Sequence, residues 1–392
     1  MGGRYNVGIR ELGGDLGAMK PPISVFYPTL AAAAKKGVGY LPFDDTQYLR
    51  GMARYVGLPY FILMDLFFTR SRMRSAAQPV ALYQEDATPR PIVIFSHGLA
   101  GFPRLYSTLL MDIAARGAIV FAVTHMDTSA AYCRDASGSI HIPLNTHLKG
   151  VTEDREPQLD IRVREIRNTL ARLRSGELLE LLGYEKDIVQ TYLVMDQPVH
   201  LVGHSFGGST VLAVSLEEEK IAKDTNVSSS VSSVTAYDPW DVPLRERMFY
   251  QKITDKENPY HFSTPTLQLF SDTWIHDTKQ YSFFVDVEKV VMSQSRTVAE
   301  AAVIDAANRK LKRRNATWYT RKDVHGVGHL NFTDVVLFSP VVYRKKYMTV
   351  PPRAAIVDLA HETVQFINAL SGSIPFEKDI TSDAVLSSLL RS

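Results

Sequence analysis

The stretch Val199–Leu212, VHLVGHSFGGSTVL, decides how this chain is read. It opens as an apolar run of the kind that forms a buried strand. It then places Ser205 between Gly203 and Gly207, with Gly208 next, and continues into the helix-forming run GGSTVLAVSLEEE. Gly-x-Ser-x-Gly between a strand and a helix has a mechanical meaning. The chain turns so sharply at the serine that its hydroxyl projects beyond the sheet, and the flanking residues must be small where strand and helix pass. A Gly-rich turn with a buried serine would share the composition. The strand before and the helix after favour the nucleophile elbow.

Outward from the elbow, apolar runs alternate with helical ones. PIVIFSHG (Pro91–Gly98), AIVFAVTH, QPVHLVG, VSSVTAYDPW, PTLQLFSD and a last run within ATWYTRKDVHGVGHLNF read as strands. LYSTLLMDIAARG reads as a helix closed by Gly117. In REPQLDIRVREIRNTLARLRSG, Leu159, Val163, Ile166, Leu170 and Leu173 recur at alternating steps of four and three, which marks one helical face turned to a core. AIVDLAHETVQFINAL closes the pattern as an amphipathic helix. Strands that alternate with helices require crossovers and a mainly parallel sheet. The expected fold is therefore α/β, of the α/β-hydrolase type, in one domain over residues 1–392. Residues 277–320, longer than a crossover needs, form a helical excursion.

Composition narrows the function. The 392 residues carry 44 basic and 42 acidic side chains, a formal charge of +2, and nothing in that balance asks for nucleic acid. One cysteine, Cys133, excludes an internal disulfide framework and a multi-cysteine metal site. The start MGGRYNVGIRELGGDLG has no basic segment ahead of an apolar core, and Asn6 stands where a myristoylation signal needs Ser or Thr. A cytoplasmic protein, with peripheral membrane contact at most, is the expectation. The sequons at Asn226, Asn315 and Asn331 then read as chance.

A serine hydroxyl needs a base to take its proton and a carboxylate to orient that base. In this fold the order along the chain is Ser, acid, His. His329, in HGVGHLNF past the last strand, is the expected base, and His325 is the runner-up. Asp238 in YDPW and Asp272 in FSD both follow strands, and the pattern leaves them open. His204 reads as packing beside the serine. The oxyanion hole needs the N–H after the nucleophile, Phe206, and one from the loop SHGLAGF, where Leu99 is the expected donor. No His-Glu-x-x-His or clustered carboxylate pattern occurs, so no metal and no cofactor is expected.

FSHGLAGFPRLYS, GHSFGGSTVL, AYDPWDVPL and GHLNFTD, in that order, resemble the signature blocks of the platelet-activating factor acetylhydrolases of the plasma and intracellular type-two class. Weaker similarity runs from PISVFYP to the closing helix. Carried over block by block, the resemblance implies Ser205 as nucleophile, Asp238 as acid, His329 as base, and Leu99 and Phe206 as oxyanion donors. It implies calcium-independent hydrolysis of the sn-2 ester of phospholipids with short or oxidised acyl chains. A broader carboxylesterase or lipase on the same fold, and a non-catalytic lipid-binding protein, are the alternatives.

One further stretch, LPYFILMDLFFTRSRMRS (Leu58–Ser75), is dense in aromatic and aliphatic residues and ends in arginines. Its most apolar part, Tyr60–Phe68, is nine residues long and contains Asp65, whereas a span needs about 20. The expectation is an interfacial helix. Tyr60, Leu63, Met64, Phe67 and Phe68 would enter the lipid, and Arg70, Arg72 and Arg74 would meet head groups. It also resembles the family's lipid-contacting helix. A core helix with solvated arginines is the competing reading.

Overall fold

The computed structural model describes residues 3, 5–32, 37–64, 72–73, 90–148, 155–194, 197–226, 229–245, 262, 264–293, 319–338 and 348–371. Its centre is an eight-stranded sheet. In chain order the strands are β1 (Asn6–Leu12), β2 (Ile23–Thr29), β3 (Ile92–Ser96), β4 (Ile119–Val123), β5 (Val199–His204), β6 (Ser233–Tyr237), β7 (Thr266–Ser271) and β8 (Tyr319–Val324). Across the sheet they lie in the order β1-β2-β4-β3-β5-β6-β7-β8. β2 runs antiparallel to both neighbours, and every other pair is parallel.

β3 to β7 are buried along their whole length because helices cover both faces, which is why they read as continuous apolar runs. Alternate residues feed two cores. Ile94, Phe121, Leu201 and Ala236 face α3 (Arg155–Arg174), α4 (Phe206–Thr225) and α5 (Thr278–Ser293). Phe95, Val120, Val202 and Tyr237 face α1 (Gln47–Val56), α2 (Ser107–Ala115) and α6 (Pro352–Ser371). The periodic face of α3 is in the first core, with Leu159, Ile166 and Leu170 almost wholly buried. Ile166→Ala would leave a cavity there costing about 2–5 kcal/mol. This strand order and pairing are those of the α/β-hydrolase fold.

The N-terminal pair β1–β2 adds two strands to those expected from the apolar runs. β1 is an edge strand whose polar residues Arg10 and Glu11 bond to Leu182 O and to Arg104, so its apolar signal is thin. Of the 277–320 excursion, α5 is helical and residues 294–318 lie outside the described residues. Asn331, in one of the three sequons, is fully buried and its side chain accepts the Gly328 N–H.

Register decides what the sheet presents. Ser96 pairs with Gly203, His204 with Tyr237, and Ser271 with Val324. The carboxyl ends of β3, β5, β6, β7 and β8 therefore finish along one edge. The residues just past them are His97, Ser205, Asp238, Asp272 and His325.

Candidate active site

Ser205 sits between β5 and α4 with φ 56° and ψ −119°. A non-glycine residue held there costs on the order of 1–3 kcal/mol and persists only when its surroundings enforce it. They do so by close packing. A Cβ on Gly203 would collide with the Gly207 carbonyl, and one on Gly207 with the Ser96 carbonyl. The Ser205 N–H donates to Tyr237 O at 2.9 Å, and its carbonyl accepts the Trp240 N–H at 3.1 Å. The side chain stands at the N-terminus of a 20-residue helix, where the backbone dipole favours negative charge.

Asp238 follows β6, also at positive φ (39°), and is fully buried. It accepts the Ser271 N–H at 2.7 Å and the Ser271 hydroxyl at 2.6 Å. Its Oδ2 lies 3.0 Å from Nδ1 of His329, on the 3-10 turn His329–Phe332 after β8. Burial pushes the Asp238 carboxyl up to about 7, opposed by the two Ser271 donors. Burial lowers His329 to about 3. A neutral imidazole with Nδ1–H on Asp238 leaves Nε2 unprotonated, the form a general base requires.

Two rings fix that imidazole. Trp274 stacks on one face, with centroids 3.8 Å apart and planes at 9°, and its own N–H is tied to Pro239 O. His204 lies 4.5 Å away at 36°. His204 packs beside the serine as expected, but its nitrogens also form a chain whose proton directions are forced. The Gly98 N–H donates to Tyr106 Oη at 2.9 Å. The Tyr106 hydroxyl then donates to His204 Nδ1, and His204 Nε2–H donates to His329 O. Burial and the neighbouring His329 keep His204 well below the usual imidazole range, so the one-proton form this chain needs is the favoured one. Tyr106 and His204 thereby join the SHGLAGF loop to the loop of the base. Nothing in the linear spacing signalled this.

The Leu99 and Phe206 N–H groups have no acceptor among the described residues. The loop closes on the serine: a Cβ on Gly98 would come 3.2 Å from Ser205 Cβ. Ala100, next in the loop, also has positive φ (56°) and donates its N–H to Ser129 O at 2.7 Å. Two free donors beside a projecting hydroxyl can receive an oxygen that gains charge.

The runners-up meet each other. His325 Nδ1 lies 2.8 Å from Asp272 Oδ1, and Asp272 Oδ2 accepts the Gly326 N–H at 2.6 Å. The structure thus brings Asp238, and not Asp272, to His329. A third pair is sealed in the interior: Ser96 Oγ is 2.7 Å from His125 Nε2, and His125 Nδ1 is 2.6 Å from Glu165. All three side chains are wholly buried, and burial drives His125 down and Glu165 up, toward their neutral forms.

Among the described residues, His204, Asp238 and His329 form the one cluster able to share a cation, with donor atoms within 4.8 Å of one another. The residues fit a cation poorly. His204 Nε2 carries its proton to His329 O and Nδ1 is taken by Tyr106.

The family model for platelet-activating factor acetylhydrolase, isoform II, matches residues 1–368. The chain belongs to that family. The Bos taurus platelet-activating factor acetylhydrolase is 28% identical over 237 residues, 56% of this chain and 52% of its own length. That of Cavia porcellus is 29% identical over 258 residues, 62% of this chain and 56% of its own. The chain spans about half the length of the curated relatives it matches. A solved ferulic acid esterase from Streptomyces cinnamoneus aligns with a TM-score of 0.57 at 18% identity over 97% of this chain and 95% of that one, a likeness of fold.

In this member of the platelet-activating factor acetylhydrolase family, the Leu58–Ser75 stretch differs from the helix expected of it. Residues 60–64 are helical, whereas Arg72–Met73 pairs with Val38–Gly39 as a short antiparallel strand, so the helix ends before Arg72. Phe67, Phe68, Arg70 and Arg74 lie outside the described residues. The faces are also redistributed. Leu63 is buried in the core and Tyr60 is half-buried under Arg50, while Leu58, Phe61, Ile62 and Met64 are exposed, Phe61 by 69%. Among the described residues, no helix is long and apolar enough to cross a membrane.

Proposed function

We propose that this chain is a serine-dependent ester hydrolase that removes short or oxidised acyl chains from the sn-2 position of phospholipids, without calcium. The observation that carries the reading is the convergence at one sheet edge of Ser205 in its strained turn, the buried Asp238–His329 pair, and the unpaired Leu99 and Phe206 N–H groups. Family membership, and relatives named platelet-activating factor acetylhydrolase, support the phospholipid class.

In the proposed reaction, His329 Nε2 takes the Ser205 proton as Oγ attacks the ester carbonyl. The carbonyl oxygen becomes an oxyanion held by the Leu99 and Phe206 N–H groups. Asp238 holds Nδ1–H and stabilises the imidazolium. Collapse breaks the ester C–O bond, and His329 gives its proton to the departing lysophospholipid. Water, deprotonated by the same nitrogen, then cleaves the acyl-serine. Each developing charge is met by a protein group, so chelator should leave the rate unchanged.

The test is a substrate panel varying only sn-2 chain length, with a fluorophosphonate probe. Wild type should be labelled at Ser205 and prefer short chains, and Ser205→Ala should be unlabelled and keep less than about one part in 10⁴ of turnover. A Ser205→Ala protein with a tenth of wild-type activity would sink the mechanism. Equal rates on long chains and simple esters would replace the substrate claim with a general esterase.

Contact with a lipid surface is part of the proposal. Val56, Leu58, Phe61, Ile62 and Met64 are large, exposed and close in sequence, anchored from beneath by Leu63. Such a patch on a core-anchored turn suits insertion between head groups. Phe61→Ser with Ile62→Ser should weaken binding to phospholipid vesicles and slow hydrolysis of vesicle-borne substrate, with a soluble short-chain ester unaffected. Equal loss on both substrates would remove the patch from the reading.

A further inference from the structure

α3 carries an arginine where its pattern calls for an apolar residue. Arg162 falls three after Leu159 and four before Ile166, on the core face, and is fully buried. Its partner Asp127 is almost as deeply buried, and their Nε–Oδ2 distance is 2.9 Å. Burying such a pair costs several kcal/mol per ion in lost hydration, and apolar residues of similar volume often serve stability as well or better. The contacts of Arg162 show what the charge does instead.

Its Nη1 donates to the His97 carbonyl at 2.7 Å, holding the peptide that leads into Gly98 and Leu99. Its guanidinium lies 4.1 Å from the ring centroid of Phe206, the residue of the other unpaired N–H. Its Nε and Nη2 reach Ser129 Oγ at 3.1 and 2.5 Å. The Ser129 carbonyl accepts the N–H of Ala100, the strained residue after Leu99, and Ala131 N–H bonds to Gly101 O at 3.1 Å. One planar cation thus touches the loop before Leu99, the loop that braces it after Leu99, and the side chain of Phe206. A lysine has neither the fork nor the flat face to make these contacts together.

We propose that Arg162, seated on Asp127 and Ser129, is a positioning residue that sets the two oxyanion donors, Leu99 N–H and Phe206 N–H, at the spacing the tetrahedral intermediate requires. The inference rests on the serine-hydrolase reading above. Arg162 touches no reacting atom. Its effect falls on the transition state, where the donors shorten onto a charged oxygen, and little on the ground-state ester.

The test compares wild type, Arg162→Lys and Ser129→Ala on p-nitrophenyl acetate and against a trifluoromethyl ketone, whose adduct with serine places an oxyanion between the donors. Arg162→Lys keeps a cation opposite Asp127. It should lower kcat about 10- to 100-fold, less than outright loss of a donor, with KM within twofold. Its inhibition constant for the ketone should rise by the same factor. Ser129→Ala, which buries no unpaired charge, should show the same parallel loss at smaller size. If Arg162→Lys does not fold, Ser129→Ala decides. Unchanged kcat in the folded variant, or a fall in kcat without weaker ketone inhibition, overturns the role. Fluorophosphonate labelling keeps the two readings apart: an unlabelled wild type rejects the serine mechanism itself, whereas a labelled wild type with an unaffected variant rejects only Arg162.

Discussion

Two aspartate–histidine pairs stand along the same edge of the sheet, and by distance the one outside the proposed triad is better. Asp272 and His325 are 2.8 Å apart, against 3.0 Å for Asp238 and His329. Both aspartates follow parallel strands and both histidines follow β8. What differs is the surroundings. The His325 side chain is 76% exposed and that of His329 21%. His329 is held between Trp274 and His204, and Asp238 is wholly enclosed with two donors from Ser271. Asp238 also ends the strand next to the elbow, while Asp272 ends one strand further out. Asp272 instead clamps the loop that carries His329, through Gly326 N–H and through its own N–H on Val327 O. Bond length and environment thus part company: the shorter bond goes to an exposed imidazole, the longer one joins an enclosed and oriented pair.

The most forceful way to break this contrast is to neutralise both acids in turn. Asp238→Asn should lose about 10⁴ in kcat, because the imidazole no longer has a carboxylate to hold its tautomer and meet its charge. Asp272→Asn should lose less than tenfold in kcat and show its effect in the melting temperature, since a nearly buried N–H loses a charged acceptor worth about 1–3 kcal/mol. Steady-state rates and thermal unfolding on the two proteins decide it, and equal or reversed losses would end the distinction.

A subtler change sharpens the role of the ring bracket. Trp274→Ala removes the stacked face from His329, and pairs of this kind are worth about 0.5–1.5 kcal/mol. A fall in kcat of up to about tenfold is expected, with KM held, by the same assay. Rates unchanged within error would show that Asp238 alone orients the base.

Ser271→Ala tests the electrostatics of the enclosed pair. The hydroxyl donates to the charged form of Asp238 and so opposes the upward push of burial. Without it the carboxylate is harder to keep ionised, its protonation moves to higher pH, and the acid limb of kcat/KM should shift upward by about one unit. A limb that stays in place, or moves down, would contradict the assignment. The smallest effect is reserved for the exposed partner: His325→Gln should leave kcat within twofold and the pH profile unmoved. A loss beyond tenfold would draw His325 into the chemistry.

Several features were legible without coordinates because they are local. The strand runs, the stop at Gly117 and the four-three face of α3 depend on neighbours along the chain, and the helices and strands appear where those patterns put them. β1 escaped because an edge strand that carries Asn6, Arg10 and Glu11 among its seven residues has little apolar signal. The polar interior escaped for another reason. Arg162, Glu165 and His125 look in sequence like ordinary surface residues, and only the packing of α3 over the strand ends gives each a buried partner. The Leu58–Ser75 stretch shows the same limit, since its composition said apolar but could not say that Leu63 turns inward and Phe61 outward.

By itself the sequence determined that a serine would stand in a forced turn between a buried strand and a helix. Gly203 and Gly207 leave no other residue room there, and that constraint is set within five positions. Which acid would face which base was decided only by the tertiary structure. Asp238 and His329 are 91 residues apart, and so their meeting depends on strand order and on the 3-10 turn that places the imidazole. The environment that separates them from Asp272 and His325 is likewise made of Trp274, His204 and Ser271, brought together by folding. Local sterics is written in adjacent residues, whereas desolvation is a property of whatever the fold sets alongside.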